Sequence, residues 1–77
     1  MYHITETKAN TIERANAVES FIETNINFMQ GAKMDHLDYK AIAKLKTQAK
    51  KLNDEKDIID TLDEAVTIIC KVAVFNE

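Results

Sequence analysis

The sequence contains no proline and no tryptophan, and only one glycine, one cysteine and one serine among its 77 residues. Each shortage removes a class of protein. Tight turns draw on glycine and proline, and primed hairpin turns favour glycine, which only Gly31 supplies. A sheet protein of this length would need several hairpins, so the chain reads as helices with few connections. One cysteine can form neither an internal disulfide nor a cysteine-based zinc centre. One glycine leaves no phosphate-cradling loop, and Ser20 has no glycine-rich elbow around it. No apolar run reaches the roughly 18 residues of a membrane helix. Residues 1–6 also lack the pattern of a signal peptide, so a cytoplasmic protein with no membrane contact is expected.

What is present is 45% hydrophobic and 30% charged, with Ala, Lys, Ile and Glu prominent and a net charge of -3. That balance suits one small folded domain spanning residues 1–77. The expected fold is all-α: a helical hairpin or small three-helix bundle with helices at about residues 7–30, 36–52 and 54–75, self-associating. In the first helix Ala15, Val18, Ile22, Ile26 and Met29 form a stripe about 80° wide. Phe21 and Phe28 widen it on one side, and Thr5 or Thr7 can cap its start. Arg14 and Asn25 interrupt the pattern. Arg14 can keep its head wet, whereas a buried Asn25 needs a hydrogen-bond partner. Gly31 is placed to stop the helix in the left-handed conformation.

The second helix, capped by Asp35, presents Ala41, Ile42, Leu45, Ala49 and Leu52. The third, capped by Asn53, presents Ile58, Leu62, Ala65, Ile69 and Val72. These two stripes are out of phase, which favours a turn near Asn53 over one continuous helix. The stretch from Ala65 to Phe75 has nine apolar residues in eleven. Its β-branched residues would suit a strand, but no partner strand exists, so a helix buried on several sides is expected. A core of this size rarely yields more than about 3–5 kcal/mol. Surplus apolar surface therefore points to a homo-oligomer, most simply a dimer, with Ile68, Val72 and Phe75 as the contact. The competing arrangement is a monomeric bundle with its last helix in the middle.

Charge is uneven. Residues 40–51 carry five lysines and no acid, while the rest of the chain has five basic and 13 acidic groups, hence +5 against -8. Lys40, Lys44 and Lys51 cluster within about 40° on a helical wheel. With Tyr39 they are the candidate surface for a partner or an anion; the alternative is a solvated face neutralised by neighbouring acids. Nucleic acid is disfavoured, because the net charge has the wrong sign, the basic helix has no arginine, and Tyr39 is the lone aromatic beside it. The acidic run from Asp54 to Glu64 lacks the glycine of a calcium loop, since Ile59 holds the sixth position.

Convergent catalytic groups are scarce. His36 lies between Asp35 and Asp38, but Asp35 as a cap explains the cluster without chemistry. Cys70 sits among apolar residues and is expected to be buried and inert. Tyr2 reads as a staple or a stacking platform, and His3 lies near the terminus. No catalytic residue, metal or cofactor is expected. The sequence favours a non-catalytic helical module that binds another macromolecule, a protein partner first, as an inhibitor, adaptor or regulatory subunit. The alternatives are an oligomeric binder of an anionic small molecule or nucleotide through the lysine helix, and a structural assembly protein.

Overall fold

A computed structural model describes the backbone of residues 2–76 and the side chains of residues 10–76. Three helices pack against one another: α1 (Tyr2–Gly31), α2 (Tyr39–Ala49) and α3 (Glu55–Phe75). No strand occurs among the described residues. The result is a three-helix bundle.

The ends of the helices fix its topology. Thr11 Oγ1 donates to Glu55 Oε1 at 3.2 Å, and Arg14 forms an ion pair with the same carboxylate. At the other end, Asp35 N donates to Asn76 Oδ1 and Asn76 Nδ2 donates to Asp35 O, both at 3.0 Å. The start of α3 therefore lies beside Arg14 and its end beside the exit of α1, so α1 and α3 run parallel, and α2 runs antiparallel to both and packs against each. Both contacts join residues 41 apart, 14 to 55 and 35 to 76. Carried along two parallel helices from Arg14 and Glu55, an offset of 41 would set Phe21 level with Leu62, Asn25 with Val66, and Phe28 with Ile69. At 1.5 Å per residue α1 is about 45 Å long, close to the 50 Å long axis of a body 17 Å across.

The helical stripes meet at the centre. Val18, Ile22, Ile26 and Met29 of α1 are buried against Ile42, Leu45 and Ala49 of α2 and Ile58, Ala65 and Val72 of α3. Ala15, Ala41, Leu52, Leu62 and Ile69, also expected inside, are half-buried. Thr61 joins the buried set.

The helix boundaries differ from expectation in ways that local chemistry explains. α1 begins at Tyr2, with Thr5 and Thr7 inside it, because no glycine or proline interrupts residues 2–10. At its other end Gly31 is the last helical residue and has no positive φ; the left-handed residue is Lys33, at φ 52°. Lys33 N donates to Gln30 O and Met34 N donates to Met29 O. This 5→2 and 6→1 pair is a Schellman motif with lysine at the position glycine usually takes. Met34 folds back onto the core that includes Met29.

His36, also left-handed at φ 66°, prevents a helix from starting at Asp35. The cap is Asp38, whose Oδ1 accepts from Ala41 N at 3.1 Å. α2 closes at Lys50 through a short-range bond to Thr47 O, the tightening common in a last turn. The turn expected near Asn53 is present, but Asp54 is the cap, accepting from Asp57 N at 2.9 Å. A carboxylate there also faces the positive end of the helix dipole.

Candidate interaction surfaces

The bundle presents two contrasting long sides. On the first, α1 and α3 lie parallel with α2 behind them. The Arg14–Glu55 ion pair marks this side on both helices. Phe21 and Phe28 follow Arg14 by seven and fourteen residues, so they share its flank within about 40°. Ile59, Val66, Cys70 and Ala73 lie within about 60° of the direction of Glu55. Phe21 is 41% exposed, Phe28 66%, Ile59 56% and Val66 44%. Asn25 lies between the two phenylalanines and satisfies its amide locally, donating Nδ2 to Phe21 O at 2.8 Å.

This side is almost free of charge. Between residues 15 and 32, α1 and its exit carry only Glu19 and Glu23, and both line the groove towards α2 beside Lys46 and Lys50. On α3, Asp57, Asp60 and Glu64 line the groove with Lys51, and Lys71 lies beside His36. Lys56 and Asp63 mark the rim. The centre holds aromatic and aliphatic side chains with a few neutral polar ones.

The second side belongs to α2. Lys40 and Lys44 lie on its outer surface and Lys51 just beyond its end, all exposed. Lys44 lines a groove with Asp63 and Glu64. Lys51 lies opposite Asp57, Asp60 and Glu64. Lys46 and Lys50 lie opposite Glu19 and Glu23. Tyr39 opens the helix and is 65% exposed. The five lysines thus form a positive ridge bordered on both sides by acids of α1 and α3.

The three residues expected at an oligomer contact line one groove on the α2 side of α3, though only Phe75 of them is exposed. Val72 is 2% exposed and part of the core, where α3 faces its neighbours. Ile68 is half-buried against the same core. Phe75 is exposed but stacks on His36 at a centroid separation of 4.1 Å, on the α2 side of α3. Burial of Cys70 is likewise not observed: the thiol is free and exposed, because Val66 and Cys70 lie on the outer flank of α3 rather than under a neighbour. α3 is buried on one face only. Phe21 and Phe28, expected to broaden the buried stripe, face solvent. The side chains of Tyr2 and His3 lie outside the described residues.

Among the described residues, no group of three or more His, Cys, Asp or Glu side chains could hold a metal ion. Asp35 and Asp38 have structural tasks, one tied to Asn76 and the other capping α2. In the groove between α2 and α3, Gln48 Oε1 is buried with no hydrogen-bond partner among the described residues. Among the described residues no helix is long and apolar enough to cross a membrane. No family model matches the chain, and neither a characterised protein nor a solved structure shows significant similarity to it.

Proposed function

We propose that this chain is a non-catalytic interaction module that binds protein through helix surface, in the manner of an adaptor, inhibitor or regulatory subunit. The observation that carries this reading is the charge-poor α1/α3 side, where Phe21, Phe28, Ile59 and Val66 remain exposed along parallel helices. Isolated exposed apolar residues are ordinary; a contiguous row with no charge at its centre marks a contact surface. Large aromatic side chains are also the residues that carry most binding energy at protein interfaces. The lysine ridge supports a contact less well, because four of its five lysines lie across a groove from carboxylates of the same chain.

Affinity capture from the source cells, using the native chain and Phe28→Glu in parallel, tests the reading. A protein retained by the native chain and lost with the variant is the expected result. Identical captured sets would refute the proposal.

A further inference from the structure

We infer that the partner of the α1/α3 side is a second copy of this chain, joined by a two-fold axis through the patch between Phe21 and Val66. The inference rests on the interaction reading above and names the occupant of the same surface. In a two-fold interface the same patch meets itself, and residues near the axis face their own counterparts. A charge there would meet a like charge, which is unfavourable. A surface suited to self-pairing therefore keeps its charges away from the centre. Most of its charges are so placed: Glu19 and Glu23 lie on the α2 flank of α1, and Asp57, Asp60 and Glu64 on the α2 flank of α3, while Arg14 is paired with Glu55 at one end and Lys56 and Asp63 stand at the rim. Recognition of a charged foreign surface would instead call for a complementary patch of one sign. Each copy also carries a net charge of -3, so two copies approach with least repulsion along their charge-poor sides.

The area agrees. With full side chains of about 150–250 Å², the exposed parts of Phe21, Phe28, Ile59 and Val66 amount to roughly 400 Å² per chain. Specific interfaces bury about 800 Å² per partner. The four anchors supply half of that, and Ala17, Thr24, Asn25, Cys70 and Ala73 surround them. Pairing would lay α1 and α3 of one copy against α1 and α3 of the other as a four-helix layer with both α2 helices outside. Area alone does not set affinity, so the association is followed over a wide concentration range.

Sedimentation equilibrium of the purified 77-residue chain tests this, run from about 5 to 500 µM on the native protein and three variants, with circular dichroism confirming the helices. The native chain should move from 8.8 kDa towards twice that mass as concentration rises. Phe28→Glu and Ile59→Lys, both at well-exposed positions, should weaken association at least about 10-fold. Phe75→Glu, on the α2 side of α3, should leave it unchanged. A native chain monomeric throughout the range overturns the inference. So does a dimer indifferent to both Phe28→Glu and Ile59→Lys, or one dissociated by Phe75→Glu alone. If the native chain is monomeric while the capture experiment still separates native from Phe28→Glu, the interaction reading stands and only the second-copy inference falls.

Discussion

On the α2 side, Lys44, Lys46, Lys50 and Lys51 each lie across a groove from carboxylates of α1 or α3. On the α1/α3 side, Phe21, Phe28, Ile59 and Val66 face solvent, and none of the described residues covers them. The lysine helix is the more conspicuous feature of the sequence, yet its charge is largely answered within the fold. The phenylalanines are less conspicuous, and their surface is unanswered. A local excess of one charge therefore says little about a ligand until the neighbouring helices are placed, whereas exposed apolar area has no equivalent internal remedy.

Substitutions at graded depths sharpen the contrast. Ile26 is fully buried beneath both sides. Ile26→Ala should cost about 2–5 kcal/mol, comparable to the whole stability expected of so small a core, and thermal denaturation should show a chain largely unfolded. Asn76→Ala removes the bonds that hold the end of α3 to Asp35. It should cost about 1–2 kcal/mol and loosen the register between α1 and α3, so it should weaken any contact through the α1/α3 side and leave the α2 ridge intact. Gly31→Ala should act in the opposite direction. Gly31 is helical, with no atom within 4 Å of an added Cβ, so alanine should stabilise by about 0.5–1 kcal/mol, raising the melting temperature by several degrees.

The smallest effect is expected on the lysine ridge. Lys40→Gln and Lys44→Gln should each change stability by less than about 0.5 kcal/mol. Lys44→Gln should have the larger effect because Asp63 and Glu64 lie beside it, and the difference should shrink in high salt. Chemical denaturation at two salt concentrations checks both. A loss of several kcal/mol from either would show that the ridge is structural, not a solvated border.

The inward half of the bundle was legible from spacing. Val18, Ile22, Ile26 and Met29, and the out-of-phase stripes of α2 and α3, are where a helical period places them, and the turn before α3 follows from that phase change. Capping residues were harder to place because several carboxylates compete at each start. Asp38 wins over Asp35 only because His36 is left-handed, and nothing local in the sequence announces that. Lys33 takes the left-handed stop although Gly31 is the better residue for it, because the end of α1 is set by Met34 returning to the core. The outer side was not legible for a different reason. Phe21, Phe28 and Cys70 lie at the edges of their stripes, and whether an edge is covered depends on the side to which the third helix swings. Periodicity within one helix carries no information about that.

Cys70 allows the most direct test of the α1/α3 side, since it is the only cysteine and its thiol is exposed there. The measurement is its alkylation rate in the native chain as protein concentration rises through the micromolar range. The rate should be fast when the chain is dilute, fall several-fold as the surfaces pair, and become independent of concentration in Phe28→Glu. A native thiol that reacts at one rate from the lowest concentration to the highest would contradict a contact through this surface.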